Sequence, residues 1–111
     1  MIPKELVKGS LKSIVLKLLA ENNRMYGYEI TQKVEELSEG KIKLTFGALY
    51  PILHKLEKEG VIKGSWKQEG PKRKRKYYTL TSKGKKYGRE QLNEWLTFFN
   101  HFLDIVGEVK Q

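Results

Sequence analysis

The stretch LTFGALYPILHKLEKEGVI, Leu44–Ile62, carries the most regular pattern in the chain. Leu49, Ile52, Leu53 and Leu56 recur at the spacing of a helix packed along one side. Thr45 is placed to cap its start, and Gly60 follows the last periodic residue, where a left-handed C-terminal position is wanted. The opposite side carries Gly47, Pro51, His54 and Lys58, flanked by Lys55. It has little bulk near its N-terminus and is polar or basic further on, a surface suited to something anionic and grooved. Pro51 costs a helix hydrogen bond, but it falls in the second turn, where a kink is tolerable.

Two strand-like runs follow, VIKGSWKQ at 61–68 and YYTL at 77–80, separated by the basic EGPKRKRK. A helix followed by a hairpin with a basic tip is the layout of a winged helix. With GALYPILHKLEKEGVI, the upstream YGYEI at 26–30 and the downstream RKYYTLTSKG at 75–84 stand in the order and at about the spacing of one known family. Over roughly residues 10–95 the chain resembles the PadR family of bacterial transcription regulators.

Working outward, residues 1–9 are expected to form a short arm. Ser10 would cap a first helix with an apolar stripe of Leu11, Ile14, Val15, Leu18 and Leu19. ENNR at 21–24 breaks that pattern. A second helix from about Gly27 to Ser38 buries Ile30, Val34 and Leu37 and stops before Gly40. Tyr26 and Tyr28 lie at its N-terminus, where free amide groups can meet a phosphate, although tyrosines there also serve packing. Lys41 to Leu44 alternate polar and apolar and suggest a short strand leading into the central helix. The second and central helices together form a helix-turn-helix.

In the wing, Val61 and Ile62 open the first strand and Trp66 lies within it. On the second strand Tyr78 and Leu80 point one way, Tyr77 and Thr79 the other. Gly70 and Pro71 mark the turn, beside Lys72, Arg73, Lys74, Arg75 and Lys76. Five adjacent cations repel one another and contribute nothing to a core. Such a run is either a solvated loop or, beside a recognition helix, a grip on phosphates.

Thr81 caps a last helix expected to reach about Val106. Leu92, Leu96, Phe99, Leu103 and Val106 form one stripe, and Trp95, Phe98, Phe102 and Ile105 a second beside it. So wide an apolar arc exceeds what one side of a small domain can cover, and its spacing suits pairing with another helix. It is expected to pack partly on the first helix and partly on a second copy of the chain. The expected fold is therefore mainly α with a small β-hairpin wing. Residues 1–80 form the winged helix-turn-helix DNA-binding domain, and residues 81–111 the long dimerisation helix.

Basic residues exceed acidic ones by 22 − 13 = +9 over 111 residues, which favours a polyanionic partner. The absence of cysteine excludes disulfides, thiolate zinc sites and cysteine nucleophiles. No apolar run approaches the roughly 18 residues of a membrane helix, and the first residues lack a signal peptide's apolar core, so a cytoplasmic protein without membrane contact is expected. His54 and His101 stand in different elements, and no phosphate loop, HExxH or metal-spaced cluster is present. Neither an enzyme nor a cofactor or metal is expected. Gly84 and Gly88 suggest one loosened helical turn.

These features predict a homodimer on double-stranded DNA. Each central helix enters a major groove of a palindromic operator, at half-sites about one helical turn apart or a multiple of it. Thr45, Tyr50, His54 and Lys55 are the candidates around that helix, with Tyr28, Lys43 and the basic pentad on phosphate. Tyr50 matches the LYP element of the PadR resemblance, whereas Ala48 stands where that family commonly has a hydroxyl. Leu92, Trp95, Leu96, Phe99, Phe102, Leu103 and Val106 are the dimerisation candidates. The resemblance further implies a repressor relieved by a planar aromatic compound, with Trp95 and Phe99 as candidate ligand residues at the dimer centre. The alternatives are a winged-helix protein–protein adaptor and a non-specific architectural nucleic-acid binder.

Overall fold

A computed structural model describes residues 4–107, in the order α1 (Lys4–Glu21), β1 (Met25–Tyr26), α2 (Gly27–Leu37), α3 (Phe46–Lys58), β2 (Ile62–Gln68), β3 (Lys74–Leu80) and α4 (Ser82–Val106). The fold is mainly helical with a small antiparallel sheet, as expected. The expected N-terminal arm is helix from Lys4 onward, and its first three residues lie outside the described range, as do the last four of the C-terminal unit. Ser10 therefore does not cap α1. It sits inside the helix and donates to the Val7 carbonyl at 3.1 Å. Leu16 joins the expected stripe as a fully buried residue because α4 crosses on its side, with Gly88 packed over Leu16.

The core gathers Leu11, Val15, Leu19, Ile30, Val34, Leu49, Leu53, Leu56, Val61, Ile62 and Tyr78. Helix α3 is held at both ends by local chemistry. Thr45 Oγ1 accepts from Ala48 N–H at 3.2 Å. At the far end Gly60 takes φ +78°, while its N–H bonds the Glu57 carbonyl and that of Val61 bonds the Leu56 carbonyl. This is the reverse turn that satisfies a helix's last carbonyls and favours glycine.

Residues 41–44 do not form the expected strand. Ile42 and Leu44 pack onto the core as loop residues, and Ser38 Oγ accepts the Ile42 N–H at 2.9 Å. Alternating burial along a loop mimics a strand's pattern. The third strand is instead Met25–Tyr26, which pairs with Tyr78 and Tyr77 in the order β1-β3-β2. The β3 strand also starts earlier than the YYTL run and takes in Lys74, Arg75 and Lys76.

Thr81 starts α4 and ties it down. Its Oγ1 accepts from Gly84 N–H at 3.0 Å and donates to the Gly60 carbonyl at 2.7 Å. Gly84 is not a loosened turn: it is buried against the Val61 backbone carbonyl, where any Cβ would collide. Further along, Lys12 Nζ donates to Tyr87 Oη at 2.7 Å. Beyond Leu96 the helix projects with its apolar stripes exposed, giving the molecule extents of 58 × 30 × 21 Å. No helix among the described residues is long and apolar enough to cross a membrane.

Candidate nucleic-acid interface

Burying Leu49, Leu53 and Leu56 turns a row of rings outward. Phe46, Tyr50 and His54, four residues apart, lie on one face of α3, with centroids 5.7 Å apart for the first pair and 6.2 Å for the second. Tyr50 and His54 are nearly parallel, at 25°. Thr45, His54 and Lys55 are exposed, as is Lys43 in the preceding loop. The Thr45 oxygen already serves the cap, which leaves its hydroxyl hydrogen for an outside acceptor. Tyr28 is exposed on the first turn of α2.

Phe46 is not among the sequence candidates, although its spacing from Tyr50 marks it. Its ring lies over Gly27 so closely that a Cβ there would clash, which draws the starts of α2 and α3 together. A groove of about 600 Å³ opens between them and the wing, walled by Tyr26, Tyr28, Phe46 and Trp66 with Arg75 and Lys76 at its edge. Trp66, 67 % exposed, stands on the wing side.

The basic pentad does not act as one patch. Lys72 and Arg73 lie in the hairpin loop and Lys74 opens β3, all three exposed. From there the strand sends alternate side chains to opposite faces. The Arg75 guanidinium stacks on Tyr26 at 4.5 Å from the ring centre. Lys76 goes the other way and forms an ion pair with Glu57 of α3 at 2.8 Å. That hydrogen bond raises the Lys76 pKa against the opposing effect of desolvation and keeps it charged. Glu57 carries the link between helix and wing, and nothing in the sequence pattern marks it.

On the outer face of the sheet Tyr26 and Tyr77 meet edge to face at 5.4 Å, with Arg24 over Tyr77 at 4.3 Å. Tyr77 Oη donates to Glu69 at 2.8 Å, and chiefly this bond raises the phenol's pKa. Arg24 is also absent from the sequence candidates, since an isolated arginine in a helix-ending loop carries no periodic signal.

On α4, Leu92, Leu96, Phe99, Phe102, Leu103 and Val106 are all exposed. Trp95 is half-buried beside an apolar groove of about 450 Å³ between α1, α2 and α4, lined by Ile14, Leu18, Val34, Leu37 and Leu96. Its ring partner is Phe98, edge-on at 5.8 Å, and among the described residues no ring contact joins it to Phe99.

The PadR-like family of transcriptional regulators matches residues 15–90. An uncharacterized protein from Lysinibacillus sphaericus is 37 % identical over 95 residues, 86 % of each chain. The negative transcriptional regulator PadR of Bacillus subtilis (strain 168) is 35 % identical over 86 residues, which are 78 % of this chain and 44 % of that protein. Among solved structures, a transcriptional regulator from Clostridium thermocellum superposes with a TM-score of 0.84 at 29 % identity, covering 96 % of this chain and 100 % of that one. Bacillus subtilis PadR in complex with operator DNA superposes with a TM-score of 0.67 at 34 % identity, over 74 % of this chain and 47 % of that one. The matched family, the Bacillus subtilis relative and the Clostridium thermocellum neighbour are transcriptional regulators, not enzymes. Because the family match runs through α2, α3, the whole wing and the joint at Gly84, this chain belongs to the PadR-like family of transcriptional regulators.

Proposed function

We propose that the protein is a repressor that binds a palindromic operator as a homodimer. Residues 1–80 form the DNA-binding unit and 81–111 the dimerisation unit. The exposed Phe46–Tyr50–His54 row on α3 beside a basic wing is the observation that carries this reading. In it, α3 enters the major groove and Tyr50, His54 and Lys55 face base edges, while Lys72, Arg73 and Lys74 meet flanking phosphates. Arg75 and Lys76 are already engaged within the chain, so the wing offers phosphates its three tip cations rather than the whole pentad. Tyr28, Lys43 and Thr45 border the same surface.

The exposed apolar stripes of distal α4 support pairing of two copies. Relief by a planar aromatic compound rests on Trp95, whose half-buried indole borders an apolar groove where a flat ring can stack.

The decisive experiment is titration of a mixed-sequence duplex, and of duplexes selected from a random library, across a range of salt. A sequence-specific regulator prefers the selected duplex, an architectural binder takes both alike, and a protein–protein adaptor takes neither. Changing Lys72, Arg73 and Lys74 to glutamine should flatten the log–log salt dependence by about 0.9 for each phosphate no longer neutralised. An unchanged slope would return the wing tip to solvent. Quenching of Trp95 by planar dyes, absent in Trp95→Ala, tests the effector site.

A further inference from the structure

Glu57 is an acid on the helix that, in the reading above, enters DNA, where an anion repels phosphate. Its carboxylate is nevertheless a three-way junction. Oε1 accepts from Lys76 Nζ at 2.8 Å, and Oε2 accepts the Gly64 N–H at 3.2 Å. Lys76 comes from β3 and Gly64 from β2, so one carboxylate joins α3 to both strands of the wing. Lys76 reaches it by crossing directly over Gly64, where a Cβ would collide with the lysine stem and crowd the Glu57 oxygen. The lysine's course also takes its ammonium near Trp66, 6.0 Å from the ring centre, and Tyr78, 5.4 Å.

We propose that Glu57 is a specificity-determining positioning residue, which fixes the wing against α3 and withholds Lys76 from DNA phosphates. The inference rests on the DNA-binding reading. Non-specific binding is almost entirely phosphate electrostatics, whereas specific binding also needs α3 seated against base edges. A cation withheld weakens both modes. A wing fixed at the right offset returns part of that affinity only when α3 is seated, because a preorganised surface has less to order. The net result is discrimination between sequences, obtained by a residue that touches no base.

The test compares a duplex enriched by the wild type from a random library with a mixed-sequence duplex, each titrated with full-length protein over a salt series. Glu57→Gln keeps the shape and an acceptor for Gly64 but frees the Lys76 charge. It should bind the mixed-sequence duplex more tightly and steepen its log–log salt dependence by about 0.9 per subunit. The ratio of specific to non-specific affinity should fall roughly tenfold, the scale of two coupled groups. Lys76→Met cuts the same link while supplying no cation, so it should lower the ratio without steepening the slope.

A merely structural role predicts that Glu57→Gln weakens both duplexes alike, with no steeper slope. That result overturns the inference and leaves the DNA-binding reading standing. If Glu57→Gln does not fold, Lys76→Met decides by the ratio alone: a fall supports the role and an unchanged ratio overturns it. A wild type that binds neither duplex overturns the DNA-binding reading and this inference together.

Discussion

Leu53 and Leu103 are both leucines on an apolar stripe of a capped helix, yet Leu53 is 0 % exposed and Leu103 is 46 % exposed. The difference separates two regions of the molecule. In the head, from α1 through β3, most of the apolar pattern is consumed by the same chain: Leu49, Leu53 and Leu56 all vanish into one core, and on α2 only Leu37, expected to be buried, stays exposed at its C-terminal end. On α4 beyond Leu96 a regular apolar pattern lies exposed, uncovered by any of the described residues. Periodicity thus states that a surface will be covered but not by which molecule.

The largest effect that tests this contrast comes from paired truncations. Leu53→Ala should cost about 2–5 kcal/mol of folding stability, through reduced burial and the cavity left behind. Leu103→Ala should leave the stability of an isolated subunit within about 0.5 kcal/mol of wild type. Its effect should appear instead as a higher dimer dissociation constant in sedimentation equilibrium. Equal destabilisation by both, independent of protein concentration, would show that α4 folds back on its own head.

Leu96→Lys or Phe99→Lys should come next in size. Each places a charge in the exposed stripe and should yield monomers or aggregates. Operator affinity should drop by about a hundredfold or more as the second half-site loses its tether. A lysine variant that remains dimeric would move the interface off this stripe.

The smallest effect lies at the seam between the two regions. Lys12 holds a raised pKa, caused first by its hydrogen bond with Tyr87. A base whose pKa is raised on folding contributes its full stabilisation below its ordinary value, and loses it as the pH rises through the raised one. Wild type should therefore melt slightly above Tyr87→Phe at neutral pH. The contribution from Lys12 should fade only once the solution is more alkaline than about pH 10.4, the ordinary lysine value. A gap in melting temperature that closes well below that pH would place the seam's stability elsewhere.

Local rules make much of this legible from sequence. Thr45, Gly60 and Thr81 mark helix ends because caps depend on neighbours within a few residues, and all three act where the pattern places them. What escapes is non-local. A strand of two residues has no period, and Met25–Tyr26 is defined only by its partners Tyr78 and Tyr77, some fifty residues away. The pentad looks like one basic tip because sequence does not reveal where β3 begins. Once Lys74 is in the strand, alternation divides Arg75 from Lys76. Glu57 is invisible for the same reason, since its partner lies nineteen residues on, across a hairpin. Gly84 reads as slack because a glycine's neighbours in space are not its neighbours in the chain.

At Gly84 the first turn of α4 rests on the Val61 carbonyl with no side chain between, and Thr81 bolts the same point to Gly60. In mechanical terms this is a stiff fulcrum. Side chains act as padding that absorbs small rotations by changing rotamer, and here there is none. The arm that leaves it runs from Gly84 to Val106, about 33 Å at roughly 1.5 Å per residue, so sliding its far end by about 3 Å turns it through about 5°. The other side of the fulcrum is Glu59–Val61, the short segment on which the C-terminal end of α3 is mounted. Displacing the last turns of α4 should therefore change the aim of α3, to the extent that the contacts of α4 with α1 let the arm turn. Putting bulk at the fulcrum, as in Gly84→Ala, should alter that aim while leaving every residue on the outward row of α3 unchanged.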